Sequence, residues 1–279
     1  MADWSNIEVA VIVADYFSML SKELVGIPFN KSEHRRSILG MLQGRTGGAI
    51  EFKHQNISAA LIKHGLPYII GYKPMSHYQE ELVDTEISNY LNGNPQVLPL
   101  FENFALQTIN LPTKSDIYAD WIVAPPRSDS DWLSEPKIEY KPIKGKNYIE
   151  IEQRNRSVGE AGEKLVLEFE KRKLIQAGVP ELIKEIQWVS QDIGDGAGFD
   201  ILSKKPSGED IYIEVKSTTL GIDTPIYFSK TENDFSMQYE KQFHLYRVFN
   251  LKAQPKMFSL KGRFSNFCQP EPVQFKGYF

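Results

Sequence analysis

The run Ile211-Tyr212-Ile213-Glu214-Val215-Lys216 alternates apolar and polar side chains. As a strand it sends Tyr212, Glu214 and Lys216 to one face and Ile211, Ile213 and Val215 to the other. Upstream, Phe199-Asp200-Ile201-Leu202 reads as a second strand, entered from the turn Gly194-Asp195-Gly196-Ala197-Gly198 and joined to the first through Pro206-Ser207-Gly208. Neighbouring strands lie ~4.8 Å apart, so Asp200 and Glu214 come close enough to hold one cation. Two adjacent carboxylates repel each other unless a positive charge separates them. Mg2+, with Mn2+ as a substitute, suits such a pair because it takes oxygen ligands and leaves positions for a substrate phosphate. The metal would polarise a phosphoryl oxygen and acidify a bound water, while Lys216 orients that water or steadies the developing charge. Phosphodiester hydrolysis is the chemistry expected. The competing expectation for Glu214 and Lys216 is an exposed ion pair of the sheet.

The elements that must position these residues follow from Ser157 onward, where helix and strand signals alternate. Ser157 and Glu160 form a capping box ahead of Ala161, Leu165, Val166 and Phe169 at helical spacing, which accounts for Glu160 without any further role. Ile186 to Ser190 and Ile226 to Ser229 read as strands. Ser229 and Glu232 make another capping box, opening a helix to about Lys241, and Leu245 to Phe249 reads as a closing strand. Tyr227, Tyr246 and Phe249 are expected in the core.

The first ninety-odd residues carry helical patterns. Ser5 and Glu8 form a capping box before Val9, Val13, Tyr16, Phe17, Leu20 and Leu24, and Gly26 and Pro28 end that helix. Further helices are expected over Ser32–Leu42, Asn56–His64 and Tyr78–Leu91. Gly44-Arg45-Thr46-Gly47-Gly48 lacks the lysine and spacing of a phosphate-binding loop and reads as a connector. Residues 96–150, with Pro99, Pro112, Pro125, Pro126, Pro136 and Pro142, read as an extended linker whose Trp121 and Trp132 pack on something. The organisation expected is thus a helical module over 1–95, a linker over 96–150 and an α/β domain over 151–279.

Asp200, thirteen intervening residues and then Glu214-Val215-Lys216 resemble the signature of the PD-(D/E)XK nuclease superfamily. More narrowly, VGEAGEKLV, GFDIL, YIEVKST and FHLYRVFN, in this order between about Arg154 and Asn250, resemble the carboxy-terminal domain of the NO VEIN protein, which also occurs in bacterial restriction-like and defence proteins. The resemblance implies a restriction-endonuclease-like α/β domain, a mixed central sheet flanked by helices, behind an α-helical N-terminal domain. It also implies Glu163 as a helix acid joining Asp200 and Glu214 at the metal. Phe199 stands where the superfamily has its proline. The stretch from Trp4 to Tyr78, including FNKSEHRR and IEFKHQNIS, is similar to a module at the front of bacterial restriction-like endonucleases, a similarity that implies no particular chemistry.

Charge bears on the substrate. The net charge of -4 excludes a uniformly basic coat, yet Lys31 to Lys73 holds seven basic residues against Glu33 and Glu51, and Lys241 to the end holds seven against Glu271. Such patches would neutralise phosphates, and solvated faces of ordinary domains explain them equally well. Lys31, His34, Arg35, Arg36, Arg45, Lys53 and His54 are the expected nucleic-acid contacts. The five histidines show no paired metal spacing, and the single Cys268 excludes internal disulfides and cysteine zinc sites. With Asp3 and Glu8 near the start and no apolar run of ~20 residues, neither export nor membrane insertion is expected, and the cytoplasm is the default. The leading expectation is a Mg2+-dependent endonuclease of restriction or defence type acting on DNA, for which a homodimer would serve double-strand cleavage. The alternatives are a nuclease-fold module that binds nucleic acid or a signal without turnover, and an interaction subunit of a defence complex.

Overall fold

The structure, a computed structural model, describes residues 3–42, 44–111, 121–126, 143, 145–194 and 196–272. The chain divides into two units, one of Met1–Thr108, Pro136–Asn155 and Leu220–Pro225, the other of Ile109–Glu135, Arg156–Thr219 and Ile226–Phe279.

The first unit is helical. Helix α1 (Asn6–Leu24) starts at the expected capping box, with the Ser5 hydroxyl accepting from the Glu8 amide and the Glu8 carboxylate from the Ser5 amide, and it buries Val9, Ile12, Val13, Tyr16, Phe17 and Leu20. Helix α2 (Lys31–Leu39) begins earlier than expected because the Asn30 side chain accepts from the amides of Ser32 and Glu33. Helix α3 spans Gly47–Lys63, well ahead of the expected start at Asn56. Thr46 caps it through the Ala49 amide, so Gly47 and Gly48 form a first turn where a connector was expected. Helix α4 is Glu80–Gly93.

The supposed linker is partly helical: a 3-10 turn at Pro95–Val97 leads into α5 (Leu98–Leu106), and α6 covers Tyr148–Gln153. Pro99 lies in the first turn of α5, where a missing amide hydrogen costs nothing, so reading proline as a mark of extended chain was misleading there. Pro112, Trp132, Pro136 and Pro142 lie outside the described residues, as do Asp195 and Lys276.

The second unit is an α/β layer structure. Helix α7 (Arg156–Gln176) precedes β1 (Gln187–Trp188), the short α8 (Val189–Asp192), β2 (Ile201–Lys204), β3 (Asp210–Ser217), α9 (Lys230–Gln238), β4 (Phe243–Phe249) and β5 (Lys256–Lys261). Among the described residues these strands form one mixed sheet in the order β1-β2-β3-β4-β5, with β3 and β4 parallel and the other neighbours antiparallel. The strand expected at Ile226–Ser229 is irregular chain, and β4 is an inner strand where a closing strand was expected, with β5 added at the edge. Helix α7 begins at Arg156, so the Ser157 hydroxyl lies inside it and accepts from the Ile109 amide, while Glu160 pairs with Arg156 and Lys164. The capping box expected at Ser157 is therefore absent.

One face of the sheet buries Ile201, Ile211, Ile213, Val215 and Val248 against Val158, Ala161, Leu165 and Val166 of α7, with Trp121 in the same core. The approach is close at Gly162, where a Cβ would stand 1.7 Å from the Ser217 hydroxyl. On the other face Phe243, Leu245 and Phe264 pack with Phe228 and with Phe235 of α9. No helix among the described residues is long and apolar enough to cross a membrane.

Candidate active site

The alternation along β3 holds: Ile211, Ile213 and Val215 enter the core beneath α7, which leaves Tyr212, Glu214 and Lys216 for the α9 side. Strand β2 begins at Ile201 opposite Ile213, so Asp200 stands just before the ladder. Its backbone stays docked, the Asp200 amide donating to the Ile213 carbonyl at 2.9 Å. Its Oδ2 accepts from the Val215 amide at 2.8 Å. That bond fixes the Asp200 carboxylate on the strand segment that carries Glu214 and Lys216.

Glu214 is buried, with 2 % of its surface exposed, and its Oε1 lies 2.7 Å from the Lys216 ammonium. The same ammonium donates to Oε2 of Glu232, from α9, at 2.8 Å. Glu163, on α7, accepts through Oε2 from the Trp188 indole and the Ser190 hydroxyl. Three carboxylates, from β3, α9 and the residue before β2, thus act on one ammonium, and Glu163 from α7 acts on Asp200. Burial and the negative charge of Glu163 push Asp200 up to about 7, with Lys216 pulling the other way. Burial and Asp200 push Glu214 well above the usual carboxylate range. Burial by itself would lower Lys216, but Glu214, Glu232 and Asp200 together raise it above the ordinary lysine value. The ammonium therefore stays protonated.

The structure brings Asp200, Glu214 and Lys216 together as the spacing implied, and the charge of Glu163 reaches Asp200. It does not present a finished metal site: among the described residues no three His, Cys, Asp or Glu side chains form a group that could hold an ion. Each of the three acids has a protein partner: Lys216 lies on Glu214, the Val215 amide on Asp200, and Trp188 with Ser190 on Glu163. The donor set still fits a hard divalent ion. The carboxylates outnumber the ammonium, and two of them are held against ionisation by burial and by neighbouring acids, Glu163 at Asp200 and Asp200 at Glu214, a penalty that a bound cation would relieve.

The expected nucleic-acid contacts have a different fate. Lys31 donates to the Ile70 carbonyl and lies over the Tyr72 ring. His34 is held by Asp15 at 2.7 Å and by Lys22 at 3.1 Å. Arg35 pairs with Glu51, and Arg45 binds Glu8 and stacks on Trp4. Lys53 and His54 are 3 % and 1 % exposed, His54 beside Asp15 at 3.2 Å. Of the seven, Arg36 stands exposed. Of these seven residues, His34, Arg35, Arg45 and His54 thus meet acids, Asp15 and Glu8 of α1 and Glu51 of α3.

Sequence reasoning missed Trp188, Ser190 and Asp15 altogether and assigned Glu232 only to a helix cap. The Ser229-x-x-Glu232 motif was visible, but its second contact, to a lysine on another element, carries no local signal.

The family model described as Protein NO VEIN, C-terminal, matches residues 162–260. The match takes in Glu163, Asp200, Glu214, Lys216 and Glu232 and runs through most of β5, and of the first unit it covers Leu220–Pro225 alone. No curated protein and no solved structure matches the chain.

Proposed function

We propose that the second unit hydrolyses phosphodiesters with a divalent cation, and that its site is the PD-(D/E)XK arrangement suggested by Asp200, Glu214 and Lys216. The observation that carries this reading is one half-buried ammonium held by Glu214 at 2.7 Å and Glu232 at 2.8 Å, with the Asp200 carboxylate fixed on the same strand by the Val215 amide. Asp200 and Glu214, with Glu163, would hold Mg2+ or Mn2+, which supplies a polarised phosphoryl oxygen and an acidified water. Lys216, kept protonated by its carboxylates, serves as a fixed positive charge for the transition state and not as a base. The hydrogen bonds to Glu163 and Asp200 hold those acids in place before substrate arrives. DNA as the preferred substrate, and a place in restriction or antiviral defence, rest on the resemblance of the ordered motifs and belong to the proposal.

A second reading has its own observation. The Lys216–Glu214 contact and the absence of a ready-made metal group among the described residues suit a module that binds nucleic acid or a signal without turnover.

Incubation of the purified chain with plasmid, modified phage DNA and RNA, in Mg2+, Mn2+ or EDTA, separates the two. Metal-dependent cleavage is expected, with Asp200→Ala, Glu214→Ala and Lys216→Ala each reducing it by roughly 100-fold or more. Binding without cleavage in any metal, unaltered by these substitutions, would give the second reading.

A further inference from the structure

The helix that follows β3 reaches back to the site. Glu232 stands in the first turn of α9, where its amide donates to the Ser229 hydroxyl at 3.2 Å and its Oε2 accepts from the Ser229 amide at 3.0 Å. A capping box accounts for those two bonds and for nothing more. Yet the same Oε2 takes the Lys216 ammonium at 2.8 Å, a partner sixteen residues away on a strand.

The helix is also referenced to both segments that carry the acids. Phe235 packs on the Phe199 ring, with centroids 4.9 Å apart, and on Tyr212 at 5.2 Å, the neighbours of Asp200 and of β3 residue Glu214. Gly198 has a φ of +86°, and a Cβ there would stand 2.7 Å from that of Phe235. Only glycine allows α9 to lie this close to the chain entering Asp200.

We infer that Glu232 is a positioning residue for Lys216: it retains the ammonium at the site when Glu214 is taken up by a bound cation. The inference rests on the hydrolase reading for its consequence in turnover. The geometry gives its logic. Lys216 is held between Glu214 Oε1 at 2.7 Å and Glu232 Oε2 at 2.8 Å. If a metal engages Glu214, one of the two anchors is lost. A long, flexible side chain with no remaining anchor would sample several rotamers, and a displacement of about 1 Å is enough to lose on the order of 100-fold in rate. Glu232, fixed by its own helix cap, is the anchor that remains.

Glutamine serves at this position of a capping box as well as glutamate does, so Glu232→Gln keeps the helix start and removes only the charge facing Lys216. Ser229→Ala does the reverse. In the cleavage assay Glu232→Gln should lower kcat by about 10- to 100-fold with KM and melting temperature little changed. Ser229→Ala should lower the melting temperature and spare kcat. Crystals of wild type and Glu232→Gln, metal-free and soaked in Mn2+, give the structural arm. Lys216 Nζ should remain about 3 Å from Glu232 in the soaked wild type and leave that place in the variant. An undisplaced Lys216 in Glu232→Gln, or a rate loss that follows Ser229→Ala instead, overturns the inference. Should wild type neither cleave nor take up Mn2+, the hydrolase reading fails. Metal-free crystals of Glu214→Gln, with and without Glu232→Gln, then decide the placement of Lys216, because Glu214→Gln removes the other charged anchor: an ammonium that leaves Glu232 only in the double variant supports the inference, and one unmoved in both refutes it.

Discussion

Glu8 meets the Arg45 guanidinium through both carboxylate oxygens, at 2.7 and 2.9 Å, and accepts from the Ser5 amide as well. Those bonds, chiefly the one from Arg45, hold it down to about 2. A depressed carboxylate adds stability above its ordinary value near 4.5 and loses it as pH falls towards 2. Acid titration followed by circular dichroism should therefore show wild type losing stability across that window, while Glu8→Gln, already lacking the contribution, shows a shallower slope. Asp200 has the opposite sign. Its value rises from an ordinary 3.8 to about 7, so the neutral form is favoured by the fold. Its contribution is complete below about 4 and is withdrawn as pH climbs through 7, and the raised Glu214 extends the loss further up. Metal-free protein should accordingly melt at lower temperature at pH 8 than at pH 6, and Asp200→Asn should flatten that difference. A wild-type profile without that fall would mean that the site acids are already compensated. Both acids were singled out in the sequence, Glu8 as a cap and Asp200 as a ligand, but the direction of each shift depends on neighbours contributed by other elements.

At the scale of elements, Gly162 shows what a helical pattern leaves unsaid. It sits mid-helix on the buried face of α7, where an added Cβ would meet the Ser217 hydroxyl at 1.7 Å and its Cβ at 2.8 Å. Gly162→Ala should cost roughly 1 to 3 kcal/mol in urea unfolding by overpacking. Adding Ser217→Gly should recover part of the loss, and strictly additive effects would show that the two residues are not in contact. Periodicity placed β3 and the faces of its residues correctly because one face is apolar throughout, and α1 because its capping box and stripe agree. It failed at α3, where Gly47 and Gly48 read as a break although Thr46 caps them, and at Ile226–Ser229, whose apolar residues bury beneath the sheet as irregular chain. Strand β5 went unnoticed because Lys256, Ser259 and Lys261 dilute its pattern at the sheet edge.

At the scale of the whole molecule, the chain leaves the second unit after Thr219 and returns at Ile226, and the intervening Leu220–Pro225 belongs to the first unit. Tyr68 and Thr224 share a hydrogen bond at 3.0 Å there, and the Gln153 amide group donates to the Pro225 carbonyl at 2.8 Å. Thr224→Val removes a partner from the buried Tyr68 hydroxyl and should destabilise by about 1 to 3 kcal/mol. Hydrogen exchange should quicken over residues 66–72 and leave β3 unchanged. Faster exchange in β3 instead would assign the segment to the other unit. A boundary drawn from proline spacing could not reveal this, because a segment of six residues carries no compositional mark of the unit it joins.

By itself the sequence determined which residues have reactive types, which face of β3 carries them, and that helices precede an α/β region. These are consequences of short-range periodicity and capping, which depend on neighbours a few residues apart. Tertiary structure alone decided that Glu232 shares the ammonium with Glu214, that Trp188 and Ser190 hold Glu163, and that His34, Arg35 and Arg45 are engaged by acids of their own unit. Coulomb and hydrogen-bond energies fall off over a few ångströms of space. The charge a side chain answers is therefore set by whatever folding places beside it, at any distance along the chain.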